Sequence, residues 1–246
     1  MNLLLLVTTA MAQEAAAAAP EAAQTFSMSA MWTDSGPVAK VVIVMLAVML
    51  VMVVLVAIER MIAFGKATSQ SRLLAAEIVP HLQKNDLAAA LAVTKNDAYK
   101  ASYLGALLRA GLVEMNERSD RHGIENAHRA VSKASGQEVS KLRRGMSLLA
   151  TVGSTAPFVG LFGTTTGVIN AFSGMATQGG AGLAGISAGI SEALITTAFG
   201  IAVAVVGVWV FNYFNTRIDK FTEELASSEA DFIDWAEKLL QKRGQA

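Results

Sequence analysis

The chain has 246 residues, of which 53% are hydrophobic and only 16% charged, a balance that is unusual for a soluble domain of this size. Its 20 basic and 20 acidic residues cancel, which argues against nucleic-acid binding, because bound phosphates require a basic surface. The chain has no cysteine, which excludes disulfides and thiolate metal sites. Its three histidines lack metal-ligand spacing. Composition therefore favours a membrane protein without metal or other cofactor.

The first segment, residues 1–37, is predicted to be a periplasmic extension. Leu3 to Val7, followed by Ala10 to Ala12, resembles the apolar region and small-residue cleavage site of a short signal peptide over residues 1–12. No positive residue precedes the leucines, so the sequence leaves cleavage after Ala12 open. The alanine-rich stretch that follows has little apolar surface to bury, and we expect it to extend from the membrane.

Three apolar segments predict three membrane spans. The first, residues 38–58, contains one charge, Lys40, and is close to the length that a spanning helix needs. Residues 145–214 contain a single charge, Glu192, and are long enough for two spans. The glycine-rich stretch from Ser173 to Gly185 divides this region, which predicts a turn there. The fold class is therefore an all-α integral membrane protein with three transmembrane helices, the second and third extended into a helical cytoplasmic domain.

The positions of lysine and arginine predict the orientation. Residues 59–144 carry fourteen of them, the segment from Arg217 onward carries five, and only Lys40 precedes the first span. Basic residues accumulate on the cytoplasmic side of membrane proteins. We therefore expect the amino terminus to be periplasmic, and residues 59–144 and 215–246 to be cytoplasmic, in the bacterial inner membrane.

The segment 59–144 has the pattern of a helical domain. Leucine and isoleucine at helical spacing predict a helix over 71–83, with Pro80 kinking or ending it. Asn85 and Asp86 are predicted to cap a short helix, and Asn96 and Asp97 the helix after it. A fourth helix is predicted to start near Ile124 and run without interruption into the second span.

Small residues recur every three or four positions along the second and third spans, which places them on one face of each helix. Such a face allows two helix backbones to approach closely in lipid. The predicted packing seam consists of Gly153, Pro157, Gly160, Gly167, Gly189 and Gly200. Thr164 and Thr197 lie on the same faces, although a threonine in a helix is also able to bond its own backbone.

Glu192 is the residue on which a functional hypothesis depends. A carboxyl group in a membrane span costs about 3 kcal/mol on insertion scales, so it is normally protonated, paired or facing water. The alternative is that Glu192 lies at the membrane surface and only caps the beginning of its own helix. The membrane serines occur in no Gly-x-Ser-x-Gly sequence and near no histidine-bearing helix, so an enzyme has no support.

Two stretches carry a resemblance to a known family. Leu149 to Thr164 (LATVGSTAPFVGLFGT) and Gly189 to Gly200 (GISEALITTAFG) resemble the MotA/TolQ/ExbB proton-channel family, in its ExbB and TolQ branch. The specific part covers about 65 residues, and the three-span topology extends it less specifically to most of the chain. Thr165 and Thr166 stand where relatives often have an apolar residue and a tryptophan. Their extra hydroxyls leave open whether protons or sodium ions are carried.

The resemblance implies a homo-oligomer, a pentamer, around single-span partners of the ExbD/TolR kind that carry a transmembrane aspartate. It also implies an envelope-spanning partner such as TonB. The implied ion pathway comprises Thr164, Glu192 and Thr197, with Thr165, Thr166 and Thr196 as weaker candidates. The expected function is an ion-channel subunit that couples the proton motive force to TonB-dependent transport. The alternatives are Tol-type envelope maintenance, a gliding motor, and, in a different class, a passive membrane scaffold.

Overall fold

The computed structural model describes residues 36–118, 120–178 and 183–244, so the signal-peptide prediction and most of the predicted periplasmic extension lie outside the described residues. The described residues form helices, with one 3₁₀ turn at Asp97–Tyr99 and no strand among them, which confirms the all-α prediction. The six α-helices are α1 Pro37–Gln83, α2 Leu87–Thr94, α3 Tyr103–Glu117, α4 Arg121–Leu142, α5 Met146–Gln178 and α6 Leu183–Gly244.

Three helical stretches are long and apolar enough to cross a membrane: one is α1, one covers α4 and most of α5, and one lies within α6. The prediction of three spans is therefore confirmed. In the first span one side of α1 packs against the rest of the chain, since Val42, Leu46 and Val53 are buried. Its other side is open, with Val51 and Leu55 56% and 61% exposed, as expected for a surface that lipid covers.

The first span continues into the segment that follows it as one helix. Two separate helices were predicted over 38–58 and 71–83, whereas α1 runs unbroken for 47 residues, about 70 Å. Buried Phe64 and Leu74 extend the packed stripe beyond the apolar run and hold the intervening residues in the helix. Pro80 sits in the last helical turns, and α1 ends only at Gln83.

The short helices between the first and second spans begin at hydrogen-bonding caps. The Asp86 carboxylate accepts the Ala89 N–H at 3.0 Å, so the predicted cap of α2 is present. Asn96 was expected to start the next helix, but it caps only the 3₁₀ turn. Ser102 begins α3 instead, because its hydroxyl accepts the Gly105 N–H at 3.0 Å.

A short break separates α4 from the second span, so the prediction of one continuous helix is wrong. α4 ends at Leu142 and α5 starts at Met146. Gly145 adopts a φ of +82°, a left-handed conformation that glycine tolerates and other residues disfavour. A Cβ there would also lie 3.0 Å from a methyl group of Val56 in α1. The break therefore lies at a point packed against the first span.

Helix occupies both ends of the glycine-rich stretch in which a turn was predicted. α5 continues to Gln178 and α6 begins at Leu183, so both helices extend into the segment from Ser173 to Gly185. Beyond the third span, α6 packs through four buried residues, Ile218, Phe221, Leu225 and Phe232. α6 is thus a single helix of 62 residues that joins the third span to the tail.

An aromatic cluster lies where the first and third spans continue into the bundle of helices outside the apolar segments. The ring of Phe64 in α1 makes edge contacts with Phe214 and Phe221 in α6, at centroid distances of 5.4 and 5.5 Å. Tyr103 of α3 stacks at a tilt on Phe221, at 5.2 Å. Edge-to-face pairs of this kind contribute about 0.5–1.5 kcal/mol each beyond their burial. The cluster therefore fixes the first and third spans relative to α3.

Candidate functional site: the interface of the second and third spans

Backbone contact between α5 and α6 defines the centre of the site. A Cβ added to Gly200 would lie 2.7 Å from the Ala156 carbonyl oxygen and 2.9 Å from the Gly160 Cα. A Cβ added to Gly160 would lie 2.9 Å from the Thr196 carbonyl oxygen. These distances are too short for any side chain, so the two helices touch here through their backbones. The sequence places glycine on both helices at the level where this contact requires it.

The other small residues lie along the same interface. A Cβ on Gly153 would meet Val208 at 2.8 Å, one on Gly167 would meet Ala193 at 2.8 Å, and one on Gly189 would meet Ala171 at 2.8 Å. Pro157 is half-buried inside α5 and leaves the helix unbroken. Close packing thus extends above and below the contact of Gly160 with Gly200.

Thr164 and Thr197 meet across this interface. Their hydroxyl oxygens lie 3.1 Å apart, and both side chains are partly exposed in the protomer. The Thr164 hydroxyl also lies 2.8 Å from the Leu161 carbonyl, and the Thr197 hydroxyl 3.1 Å from the Gly160 carbonyl. The two hydroxyl groups therefore have two protons to donate and three contacts with acceptors: the Leu161 carbonyl, the Gly160 carbonyl and the contact with each other. Since a hydroxyl both donates and accepts, the two side chains are able to exchange donor and acceptor roles.

Thr196 occupies a different environment from its neighbour. It is fully buried, and its hydroxyl donates to the Ala193 carbonyl at 2.7 Å. A Cβ on Gly163 would collide with the Thr196 hydroxyl and would lie 3.1 Å from a methyl group of Val42. Thr196 is therefore packed where the three spans meet. Gly163 was not in the predicted seam because it falls outside the three-and-four spacing that revealed the others.

Thr165 and Thr166 do not join the pair formed by Thr164 and Thr197. Both hydroxyls donate to the Phe162 carbonyl of their own helix, at 2.9 Å each. Thr165 is exposed and Thr166 is half-buried. Of the six polar candidates from the sequence, the structure joins only Thr164 and Thr197 directly through their side chains.

Glu192 bonds to the beginning of the first span. Its carboxylate Oε1 accepts the backbone N–H of Gly36 at 2.8 Å. Gly36 is the residue that precedes α1, and Pro37 is the first helical residue. The sequence did not predict this contact. The alternative considered there was that Glu192 caps the beginning of its own helix. The one sequence feature that points to this contact is the start of α1: an apolar helix that begins with Gly-Pro and has no capping side chain.

The helix geometry fixes how these groups are arranged along the membrane. Glu192 precedes Thr197 by five residues of α6, which corresponds to about 7 Å along the helix axis. The beginning of α1 lies level with Glu192, at the same end of the three spans. A carboxylate near that end is thus followed, deeper in the span, by the paired hydroxyls of Thr164 and Thr197. These oxygens are suited to hydrogen-bond a proton carrier or to coordinate a small cation.

Three packed membrane spans with polar groups at the interface of the second and third define a class of helical membrane protein with a candidate ion path. A sequence profile of the MotA/TolQ/ExbB proton channel family matches residues 100–227. The match covers more than half of the chain. The protein belongs to this family, and the resemblance seen in the sequence is confirmed.

Individual relatives are similar to this chain over shorter stretches. The Tol-Pal system protein TolQ of Pseudomonas aeruginosa is 38% identical over 143 residues, which are 56% of this chain and 60% of TolQ. The biopolymer transport protein ExbB of Xanthomonas campestris pv. campestris is 41% identical over 108 residues, 41% of this chain and 43% of ExbB. ExbB of Salmonella typhimurium is 40% identical over 100 residues, 41% of this chain and 39% of that ExbB. The matched part spans about half the length of these relatives.

Proposed function

We propose that this chain is the ion-channel subunit of an inner-membrane motor that couples the proton motive force to work across the cell envelope. The observation that carries the proposal is the hydroxyl pair of Thr164 and Thr197, 3.1 Å apart, in a protein of the proton channel family. Glu192, about 7 Å further along α6, supplies an ionisable group on the same side of the membrane as the start of α1. The amino terminus is periplasmic, and residues 59–144 and 215–246 are cytoplasmic.

The moving ion needs a second titratable group, which a partner subunit supplies. The chain acts as a homopentamer around single-span subunits of the ExbD/TolR kind, whose transmembrane aspartate takes up and releases protons. Protonation makes that aspartate less costly to bury, and ionisation drives it towards polar oxygens such as those of Thr164 and Thr197. One elementary charge crossing 100 mV provides about 2.3 kcal/mol, enough to bias two packing arrangements of the partner.

The proposed output is TonB-dependent transport across the outer membrane, in line with the similarity to ExbB proteins. A Tol-type role in envelope maintenance is the second candidate, favoured by the longer match to TolQ. Deleting the gene in its host distinguishes them. Loss of TonB-dependent nutrient uptake with an intact outer membrane supports import, whereas leakage of periplasmic proteins with normal uptake supports the Tol-type role. A gliding defect alone indicates the third output.

The experiment that tests the channel function uses the complete complex, reconstituted in vesicles with its aspartate-bearing partner. Thr164→Val removes the hydroxyl while keeping the shape of the side chain, and Thr165→Val is the matched control because Thr165 bonds only to its own helix in the described contacts. We expect ion-driven activity to fall with Thr164→Val and to persist with Thr165→Val. A proton gradient should support activity, and a sodium gradient alone should not.

Two results would contradict the proposal. Thr164→Val and Glu192→Gln complexes that assemble and work like the wild type would remove both residues from the path. A wild-type complex with no ion flux and no ion-driven movement of the partner would indicate a passive scaffold.

A further inference from the structure

We propose that the backbone N–H of Gly36 positions the Glu192 carboxylate, which makes Gly36 a positioning residue for the ion path; the link to the path rests on the proposed function. The two groups are 156 residues apart in the chain and 2.8 Å apart in space. The contact joins the beginning of the first span to the early part of the third.

The start of α1 lacks the groups that usually stabilise a helix amino terminus. Gly36 precedes the helix without a side-chain cap, and the first turn contains no acidic residue. In a capping box, a Glu at the third helical position reaches back to the N–H of the cap residue. That position in α1 is occupied by Ala39, which has no acceptor. Glu192 of α6 bonds the same N–H from a neighbouring helix and fills this role.

Charge favours the same contact. The amino end of a helix carries a partial positive charge, and a carboxylate placed there is stabilised. Glu192 lies near the edge of an apolar span, where an unpaired carboxylate is costly. The start of α1 therefore supplies a hydrogen-bond donor to the Glu192 carboxylate, at 2.8 Å.

The direction of the contact fixes which side of α6 the carboxylate occupies. Glu192 and Thr196 are four residues apart, so they lie on the same face of the helix. Thr196 is buried next to Gly163, near Val42 of α1. The N–H of Gly36 thus holds the carboxylate on the side of α6 that faces the first span. Without this donor, the side chain would be free to turn to other rotamers.

The backbone angles of Gly36 permit a proline variant, which removes the donor and puts the ring Cδ in the place of the amide hydrogen. Its φ of −65° is the angle that a proline ring imposes, and its ψ of 162° suits a residue that precedes Pro37. Gly36→Pro therefore deletes the N–H and leaves the backbone path unchanged. Gly36→Ala is the matched control, because it retains the N–H and its Cβ comes no closer than 4.0 Å to Glu192 Oε1.

The accessibility of the carboxyl group is measured with dicyclohexylcarbodiimide in membranes that contain the full complex. The protonated carboxyl adds across a C=N bond of this reagent, and the mass of the labelled peptide identifies the residue. A carboxyl group held against the start of α1 by a hydrogen bond is less accessible to the reagent and reacts slowly. We expect labelling of Glu192 to be about tenfold faster in Gly36→Pro, the factor for about 1.4 kcal/mol, and unchanged in Gly36→Ala. Glu192→Gln provides the unlabelled blank.

The outcomes separate the contact from its function. Equal labelling rates in Gly36→Pro and Gly36→Ala would overturn the proposal. Faster labelling together with reduced ion-driven activity would support it in full. Faster labelling with undiminished activity would support the contact, overturn its link to transport, and remove Glu192 from the proposed path.

A double variant tests whether Gly36 acts through Glu192 rather than through α1 itself. If it does, adding Gly36→Pro to Glu192→Gln causes no further loss of activity and no loss of complex from the membrane. An additional loss in the double variant would mean that proline disturbs α1 directly, which would overturn the positioning role.

Discussion

The hydroxyl of Thr164 faces the hydroxyl of Thr197 at 3.1 Å, in the same stretch of the helix interface where Gly160 contacts Gly200. The contact of Gly160 with Gly200 makes the contact of the two threonines possible. Threonine side chains are short, so they meet across two helices only where the helix axes are unusually close. The Gly160 carbonyl, which lies 3.1 Å from the Thr197 hydroxyl, links the two features. Packing and polar chemistry therefore depend on the same few residues.

A double-mutant cycle should show that the two hydroxyls act as one unit. Thr164→Val and Thr197→Val are each expected to lower ion-driven activity. The combined variant should lose little more than either alone, because the pair is already broken by one substitution. The measurement is ion-driven work by the complete complex, with assembly followed in parallel. Fully additive losses would show that the two residues contribute separately.

The contact of Gly200 with Gly160 should be intolerant of one added methyl group. Gly200→Ala would place a Cβ 2.7 Å from the Ala156 carbonyl oxygen, so α5 and α6 must separate. We expect a loss of about 1–3 kcal/mol in the free energy of unfolding, measured by thermal unfolding of the detergent-solubilised complex. Gly136→Ala in α4 meets no atom within 4 Å and should raise stability by up to about 1 kcal/mol. Similar behaviour of the two variants would contradict the close contact.

Arg60 should be important for stability although it is charged. Its side chain is buried, it pairs with Glu59, and it donates to the Lys141 carbonyl at 3.2 Å, just before the break that precedes α5. Arg60→Ala leaves that carbonyl without this donor and removes packed atoms, so we expect a loss of about 2 kcal/mol. Lys66→Ala, at an exposed position of the same helix, should change stability by less than about 0.5 kcal/mol. Thermal unfolding of both variants checks the difference.

Tyr103 should make the protein less stable at high pH. Burial, with the hydrogen bond that it donates to Glu224, raises the pKa of the Tyr103 hydroxyl above its usual value of 10.0. A group whose pKa is raised by folding stabilises the folded state below its unfolded pKa, and this contribution is lost as the pH rises. The free energy of unfolding should therefore fall between pH 9 and pH 11.

Tyr103→Phe tests this origin of the pH dependence. The variant should be less stable by about 1 kcal/mol at pH 8 and should lose less stability on going to pH 11. Tyr99→Phe is the comparison: the hydrogen bond to Glu77 also raises the pKa of the Tyr99 hydroxyl, but that bond is exposed to solvent, so a smaller change is expected. Chemical denaturation at each pH provides the measurement. An unchanged pH profile in Tyr103→Phe would assign the alkaline loss to other groups.

The fold was predictable from the sequence where composition alone decides it. Long apolar segments without charge must form spanning helices, so the three spans and the all-α class follow from the chain. Helix boundaries depend on tertiary contacts, which explains the errors there. The continuity of α1 follows from burial of Phe64 and Leu74, and the break at Gly145 from a backbone conformation that the residue type permits but does not require.

The site was predictable in part for a similar reason. Periodic spacing placed Thr164 and Thr197 on the small-residue faces, and the close contact between those faces brings them together. The same spacing could not place Thr196, whose complete burial depends on α1 packing over Gly163. The partner of Glu192 is a backbone N–H, which has no residue type of its own to recognise in a sequence.

The uninterrupted course of α6 has a mechanical consequence. Helical hydrogen bonding continues from Leu183 to Gly244, a rod of about 93 Å. The aromatic cluster of Phe64, Phe214 and Phe221 clamps this rod to α1 midway. A displacement imposed on α6 beside Glu192 is therefore carried by one continuous helix, together with α1, towards Gly244. If the proposed function is correct, each protomer moves as a stiff unit, and sliding or turning during a work cycle is concentrated at the surfaces between subunits.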